Sequence, residues 1–245
     1  MLLLLRSLAF QAVFLGFGTL LALYSLIPLA RGDRAQLFAI NALWARGINR
    51  LLRAIAGIHV RIEGLEQIPA GPVIIAAKHQ SLWDTTIIFH LFGTPAVVMK
   101  QELLKIPIYG ALCRGQGMIV VDREGGAKAL KKMLADARAA AAEGRRIVIF
   151  PQGTRTRPGE PAPYQPGVAA LYRDLKLPVV PAVVNSGCFW PKRGWRRPPG
   201  TIVLRFLAPI PPGLHRDDFM QALETRIETA QAELEAETRT GPVRG

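Results

Sequence analysis

The sequence contains very little cysteine. Cys113 and Cys188 are its 2 cysteines among 245 residues, and residues typical of a protein core flank both. Two isolated cysteines are too few for a disulfide framework or a zinc site. The sequence therefore favours a reducing compartment and predicts no metal site.

Acidic residues are also scarce. The chain has 31 Lys and Arg against 18 Asp and Glu, a net charge of +13, although 50% of its residues are hydrophobic. This combination favours an anionic membrane surface over nucleic acid as the partner. The segment WPKRGWRR, Trp190 to Arg197, has the mixture of aromatic and basic residues found in nucleic-acid binders. It is equally typical of a membrane-interface loop with Trp190 and Trp195 at headgroup depth and its four cations on lipid phosphates. We therefore expect membrane lipids, and no nucleic acid, as partners.

No charged residue occurs from Ser7 to Ala30. A helix of this length, rising about 1.5 Å per residue, matches a hydrocarbon core of roughly 30 Å. A cleaved signal peptide is the alternative, but the apolar run is long for one and only Arg6 precedes it. We therefore expect a membrane anchor. Five arginines follow the run, which places the main body on the cytoplasmic side of the inner membrane. They are Arg31, Arg34, Arg46, Arg50 and Arg53.

The next segment, Ala35 to Ala56, has apolar residues at helical spacing and Arg46, Arg50 and Arg53 on another face. This pattern predicts an amphipathic helix. The helix either lies in the membrane interface or packs on the main domain, and the pattern fits both. Residues 1–56 are thus interpreted as a membrane anchor followed by a basic amphipathic helix.

After Gly57, short apolar runs rich in Val and Ile alternate with helical patterns. Such alternation predicts an α/β domain over residues 57–237, with a mixed, largely parallel sheet flanked by helices. Residues 238–245 are expected to form a flexible tail, with fraying near Gly241 and Pro242. The predicted strands are Val73–Ala77, Ala96–Met99, Met118–Val121, Ile147–Phe150, Val179–Val184 and Ile202–Phe206. The predicted helices are Trp83–Phe92, Ile106–Arg114, Ala127–Ala142, Val168–Leu175 and Asp217–Glu237.

The stretch KHQSLWD places His79 at the end of an apolar strand and Asp84 at the start of a helix. In open α/β sheets, ligands bind and reactions take place at the carboxyl ends of the strands. If Asp84 reaches one imidazole nitrogen of His79, it fixes the tautomer and leaves the other nitrogen free as a general base. Alternatively, Ser81 and Asp84 form a capping box, which explains Asp84 but gives His79 no purpose.

The sequence offers no nucleophile to accompany this pair. No G-x-S-x-G elbow occurs, and neither cysteine has a catalytic signature around it. The proton that His79 removes is therefore expected to come from a substrate hydroxyl, which attacks an activated acyl group directly.

A second informative stretch, FPQGTRTR, begins at Phe150 and again follows an apolar run. Gly153 allows close backbone approach to a ligand, Thr154 offers a hydroxyl, and Arg155 offers a planar fork suited to a phosphate. An ordinary turn with solvated charges is the alternative.

Two further stretches contain cations near expected strand ends. GMIVVDR ends in Asp122 and Arg123, which an exposed ion pair would also explain. KQELLKIPIYG contains Lys100 and Lys105, which face either an anion or solvent.

Taken in order, HQSLWD, GMIVVDR, FPQGTR and VVPAVVNSG, which ends at Gly187, resemble the four blocks of the glycerolipid acyltransferases. The resemblance is greatest to 1-acyl-sn-glycerol-3-phosphate acyltransferases. It implies transfer of a fatty acyl chain from acyl carrier protein or coenzyme A to the sn-2 hydroxyl of lysophosphatidic acid. It also implies that His79 is the catalytic base and Asp84 its orienter, and it requires no metal or prosthetic group. The substrate-binding residues implied by the resemblance are Lys105, Arg123, Gln152, Gly153, Thr154 and Arg155.

This sequence departs from the family pattern at two positions. Lys78 stands where the first block usually has Asn, and Gln152 stands where the third usually has Glu. Gln keeps a carbonyl acceptor, adds a donor and removes a charge. The change leaves room for an inactive protein or a different lysolipid acceptor, such as a lyso-amino-lipid.

Two other classes of function remain open. The chain could be a non-catalytic membrane protein that binds anionic lipid through its arginines and the WPKRGWRR loop. It could also be an anchored esterase or thioesterase, although the missing nucleophile elbow argues against that.

Overall fold

The computed structural model describes residues 1–240 as nine α-helices and a seven-stranded sheet. The helices are α1 Leu2–Tyr24, α2 Leu26–Ala30, α3 Arg34–Leu51, α4 Trp83–Phe92, α5 Tyr109–Gly115, α6 Gly126–Ala142, α7 Gly167–Leu175, α8 Ser186–Phe189 and α9 Arg216–Thr240. The strands are β1 Ile58–Glu63, β2 Ile74–Ala77, β3 Ala96–Lys100, β4 Ile119–Val121, β5 Ile147–Ile149, β6 Val179–Val184 and β7 Gly200–Phe206. A π-helical turn, Leu52–Ala56, and two 3₁₀ turns, Leu65–Gln67 and Gln101–Lys105, complete the elements.

The sheet is mixed and largely parallel, as predicted. Its strand order is β1-β7-β6-β2-β5-β3-β4. The β6–β7 pairing is antiparallel and the other five pairings are parallel. Strands β6, β2 and β5 are neighbours at its centre, so their carboxyl ends meet at one edge. That edge is where open α/β sheets bind ligands.

Each face of the sheet has its own hydrophobic core. Alternate residues of a strand point to opposite faces, so Ile75 and Ala77 of β2 join one core and Ile74 and Ala76 join the other. Helices α1, α3 and α4 cover the first face, and α6, α7 and α9 cover the second. The N-terminal helices therefore share a core with the sheet.

Several predicted element bounds differ from the structure. Strand β1 was not predicted, because its apolar residues alternate with His59, Arg61 and Glu63 instead of forming a run. The helix expected from Ile106 begins at Tyr109, after Pro107, and a 3₁₀ turn precedes it. Helix α9 continues to Thr240, so residues 238–240 of the expected tail are helical. Residues 241–245, with Gly241 and Pro242, lie outside the described part of the chain.

The segment Leu2–Ala30 is long and apolar enough to cross a membrane, but it contacts the domain near both ends. Near its start, Arg6 Nε donates to the carbonyl oxygen of Ile55 at 2.7 Å. Just after its end, Arg34 Nη2 donates to the carbonyl oxygen of Gln116 at 3.1 Å. These contacts lay the segment along one side of the domain. Its outer face exposes Leu4, Leu5, Leu8, Val13, Leu15, Leu20, Leu23 and Ile27.

Helix α3 packs on the domain. Its buried face includes Phe38 and Ile48, which belong to the core shared with α1 and α4. The arginines Arg46, Arg50 and Arg53 lie exposed on the opposite side. Of the two alternatives for this segment, the structure therefore favours packing.

Of the two interpretations of Trp190 to Arg197, the membrane-interface loop does not hold for Trp190 and Arg197, which are buried. Trp190 is buried edge-on against Phe10, with ring centroids 5.1 Å apart. Arg197 is also buried, stacks over both of those rings and donates to Gln11. Cation–π stacking on α1 compensates for the lost hydration of its guanidinium. Only Trp195 keeps the exposure expected of an interfacial tryptophan.

Candidate active site

His79 and Asp84 are in direct contact at the carboxyl end of β2. The distance between His79 Nδ1 and Asp84 Oδ2 is 2.9 Å. The Asp84 side chain is 4% exposed, and the His79 side chain keeps 16% exposure. The carboxylate is thus almost fully buried, while the imidazole still reaches the surface.

The hydrogen bonds around Asp84 define the tautomer of His79. Asp84 Oδ2 accepts from the backbone N–H of Gln80 at 2.7 Å and of Ser81 at 2.8 Å. An oxygen that already accepts from two N–H donors holds no proton of its own, so His79 Nδ1 must be the donor in their contact. Nε2 of the neutral imidazole then has a free lone pair, which a general base requires.

The contact of Asp84 with His79 coexists with cap-like hydrogen bonds at the start of α4, although Ser81 is not the N-cap residue. Asp84 reaches back to the N–H of Ser81, and Ser81 Oγ accepts from the N–H of Trp83 at 3.2 Å, as in a capping arrangement. Helix α4 itself begins at Trp83, one residue later than a cap at Ser81 implies. The helix start therefore fixes the carboxylate that contacts the imidazole.

The loop after β5 holds the other side of His79. The Phe150 ring stacks on the imidazole, with centroids 4.1 Å apart and planes at 22°. The N–H of Thr156 donates to the carbonyl oxygen of His79 at 2.8 Å. Since β2 and β5 are adjacent parallel strands, this loop and the histidine emerge at the same edge.

Arg123 and Gly153, two predicted substrate-binding residues, are in contact. Arg123 Nη2 donates to the carbonyl oxygen of Gly153 at 2.6 Å. Gly153 has a φ of +65°, and a Cβ added there would lie 1.6 Å from Arg123 Nη2. The backbone angle therefore favours glycine at this position, and a Cβ there would displace the flexible end of the exposed Arg123 side chain. The expected alternative, a pair of Arg123 with Asp122, does not describe the arrangement, because Asp122 accepts from the N–H of Glu124.

The remaining predicted cations lie near this edge without joining the pair. Arg155 is half-buried in the same loop, where its carbonyl oxygen accepts from Lys192 Nζ at 2.9 Å. Thr154 is exposed beside it. Lys105 ends the 3₁₀ turn after β3 and is exposed. The exposed residues Thr154 and Lys105 are accessible to an anion.

Gln152 is buried without a partner among residues 1–240. It is 4% exposed, and neither its amide nitrogen nor its carbonyl oxygen has a hydrogen bond there. Buried polar atoms are normally paired, and an unpaired one costs about 1–3 kcal/mol. The side chain thus holds one unused donor group and one unused acceptor, three residues beyond β5.

Lys78, the other departure from the family pattern, points away from the site. It is 3% exposed, and its Nζ lies 2.5 and 2.7 Å from the two carboxylate oxygens of Glu228 on α9. Tyr164 donates its hydroxyl to the same carboxylate at 2.8 Å. The lysine therefore attaches the residue before His79 to the last helix.

The two cysteines are poor nucleophiles. Both are free thiols. Burial raises the pKa of the Cys113 thiol to about 11 and that of Cys188 to about 11. The thiolate is the reactive form, so neither side chain is activated for covalent catalysis at neutral pH.

Reasoning from the sequence missed Ser186, which donates its hydroxyl to Asp84 Oδ1 at 2.5 Å. The residue lies two positions beyond the end of β6, a neighbour of β2. That is the same kind of strand-end position that singled out His79, so the signal was present in the sequence.

Comparison with known proteins agrees with this geometry. A family model described as Acyltransferase matches residues 59–185, more than half of the chain. The chain belongs to the acyltransferase family. The resemblance found in the four blocks is thus confirmed, and His79, Asp84 and the loop after β5 all lie within the matched segment.

Two curated relatives have the same name, 1-acyl-sn-glycerol-3-phosphate acyltransferase. The chain is 37% identical over 169 residues to the one from Pseudomonas aeruginosa, covering 69% of this chain and 66% of the relative. It is 30% identical over 180 residues to the alpha form from Homo sapiens, covering 72% of this chain and 63% of the relative. The chain therefore spans slightly less than two thirds of these relatives.

A solved structure shares the fold. The crystal structure of PlsC from Thermotoga maritima, described as a 1-acyl-sn-glycerophosphate (LPA) acyltransferase, superimposes with a TM-score of 0.78. The match covers 95% of this chain and 97% of that one, at 23% sequence identity. The similarity includes the N-terminal helices as well as the sheet.

The contact between Gly153 and Arg123 leads to a prediction. Replacing Gly153 with Ala should displace Arg123 from the Gly153 carbonyl, so that the lost hydrogen bond adds about 0.5 kcal/mol or more to the roughly 1–2 kcal/mol expected for Ala at positive φ. Gly144→Ala is the matched control, because Gly144 has a φ of +75° and open space around its Cβ position. Denaturant unfolding of both variants measures the difference. Equal losses of stability would contradict the steric account.

Proposed function

We propose that this protein transfers a fatty acyl chain from a thioester to the sn-2 hydroxyl of lysophosphatidic acid, giving phosphatidic acid. The observation that carries the proposal is the contact between His79 Nδ1 and Asp84 Oδ2, 2.9 Å long, at the ligand-binding edge of the sheet. The names of the curated relatives support the substrate and the reaction. Acyl carrier protein or coenzyme A carries the acyl group, and no metal or prosthetic group takes part.

In the proposed reaction, His79 Nε2 removes the proton of the acceptor hydroxyl. The hydroxyl oxygen forms a bond to the thioester carbonyl carbon, and the carbon–sulfur bond then breaks. The departing thiolate takes the proton back from the imidazolium. Asp84 stabilises that imidazolium from the Nδ1 side, and the Phe150 ring keeps the imidazole in plane.

The phosphate of the acceptor binds beside the base. Arg123 is fixed on the Gly153 carbonyl, and its exposed guanidinium has further N–H groups to donate. Arg155, Thr154 and Lys105 supply the remaining donors from the same edge. A guanidinium suits a phosphate because it donates two parallel hydrogen bonds.

We further propose that α1 lies in one leaflet of the inner membrane, with the domain on its cytoplasmic side. The contact of Arg6 and the burial of Phe10 and Phe14 keep the helix along the domain, and its outer face exposes leucine side chains. The lysolipid then reaches His79 without leaving the membrane surface. A net charge of +13 also attracts an acidic carrier protein or an anionic bilayer.

A second acceptor class is supported by Gln152. Its unused amide N–H group and carbonyl oxygen can pair with an acceptor that both donates and accepts, such as a lyso-amino-lipid. A carboxylate at this position would accept hydrogen bonds but could not donate one.

Replacing His79 with Ala should lower acyl transfer by about 10²- to 10⁴-fold, because the general base is lost. Purified protein in lipid vesicles would be assayed with acyl carrier protein and coenzyme A thioesters against lysophosphatidic acid, lysophosphatidylcholine and a lyso-amino-lipid. His90→Ala is the control, since His90 lies exposed on α4. Undiminished turnover in His79→Ala would overturn the mechanism.

Wild-type protein that binds anionic vesicles without consuming thioester would support a lipid-binding protein instead.

Gln152→Leu should stabilise the free protein and weaken acceptor binding together. The change removes two unpaired buried polar atoms, so unfolding should cost about 1 kcal/mol more, while KM for the lysolipid rises. Gln116→Leu is the matched control. Gln116 is equally buried but pairs with Asn41 and the Leu37 carbonyl, so its loss should destabilise. Thermal unfolding and steady-state kinetics measure both effects. An unchanged KM in Gln152→Leu would remove Gln152 from the binding site.

A further inference from the structure

Asp84 has a partner on each of its two carboxylate oxygens. Oδ2 contacts His79 and two backbone N–H groups, whereas Oδ1 accepts from the hydroxyl of Ser186. Within residues 1–240, the Ser186 hydroxyl is the one hydrogen-bond donor to Oδ1. Ser186 is fully buried, so water has little access to replace it.

The position of Ser186 is fixed independently of Asp84. It begins α8 at the carboxyl end of β6, and β6 pairs with β2 along the register Ala77 to Ala182. The next residue, Gly187, donates its N–H to Gln80 Oε1 at 3.1 Å. This hydrogen bond joins the β6–α8 junction to the loop that carries His79 without involving Asp84.

This arrangement limits how the carboxylate can rotate. Rotation of the Asp84 carboxylate about its Cβ–Cγ bond would exchange the two oxygens or move Oδ2 out of the plane that it shares with the imidazole. The hydrogen bond from the Ser186 hydroxyl to Oδ1 opposes that rotation. The same bond neutralises part of the charge on an oxygen that is otherwise unsolvated.

We propose that Ser186 is a positioning residue for the reaction, holding Asp84 so that Oδ2 stays on Nδ1 of His79. It touches neither substrate, and its effect on the reaction passes through the carboxylate. The inference rests on the roles of His79 and Asp84 in the proposed function.

Ser186→Ala should lower kcat by about 10- to 100-fold, as losses of supporting hydrogen bonds around reacting groups do, with KM for both substrates unchanged. Ser186→Thr keeps the hydroxyl and should restore most of kcat. Thr86→Val is the matched control. Thr86 is a buried hydroxyl on the same helix as Asp84, but it donates to the Leu82 carbonyl, so kcat should stay within about twofold of wild type.

Ser186→Cys covers the case in which the alanine variant fails to fold. The thiol is similar in volume and a weak donor, so it should give a similar loss of kcat in a protein that still unfolds cooperatively. A kcat within twofold of wild type in either folded variant would overturn the inference.

A double-mutant cycle tests whether Ser186 acts through Asp84. In an Asp84→Ala background, Ser186→Ala should cause no further loss of kcat, because the hydroxyl has lost its acceptor. Additive losses would assign Ser186 a separate role and overturn the inference. His79→Ala in the same assay separates the two claims. Full acyl-transfer activity in His79→Ala would refute the proposed function. Loss of activity in His79→Ala together with a wild-type kcat in Ser186→Ala would refute only this inference.

Discussion

The buried carboxylate of Asp84 is the constraint on which the site depends. A carboxylate that is 4% exposed needs hydrogen bonds to replace its hydration, and it accepts four, from His79, Gln80, Ser81 and Ser186. Two of the donors are backbone groups at the start of α4. In the geometry that supplies these bonds, Nδ1 of the imidazole also points toward the carboxylate. Burial of the carboxylate therefore favours the same arrangement that the proposed catalysis requires.

Side chains of the last helix, α9, support this arrangement. Lys78 pairs with Glu228, and Gln80 Nε2 donates to Glu235 Oε1 at 2.9 Å, so residues on both sides of His79 are attached to α9. Gln231 joins the same helix to β6 by accepting from and donating to the backbone of Val184. The elements that carry His79 and Ser186 are thus both attached to α9.

Sequence reasoning found those parts of the site that are local in the chain. The His79–Asp84 contact spans five residues, and an apolar run before it signalled the strand end. The contact of Ser186 with Asp84 spans 102 residues and depends on β6 lying beside β2, an order that no local pattern encodes. Burial of Trp190 was missed for the same reason, since its partners are phenylalanines of α1. Gln152 was singled out by its departure from the family, but that it lacks a partner became visible only in three dimensions.

The tautomer of His79 is the most direct test of the central claim, that Asp84 orients the imidazole as a base. Nitrogen-15 NMR of histidine-labelled protein in detergent, with the His79 signals assigned by their loss in His79→Gln, distinguishes a protonated Nδ1 from a protonated Nε2. The account predicts that neutral His79 has its proton on Nδ1 in the wild-type protein and that this preference weakens in Asp84→Ala. A neutral ring protonated on Nε2 in the wild-type protein would contradict it.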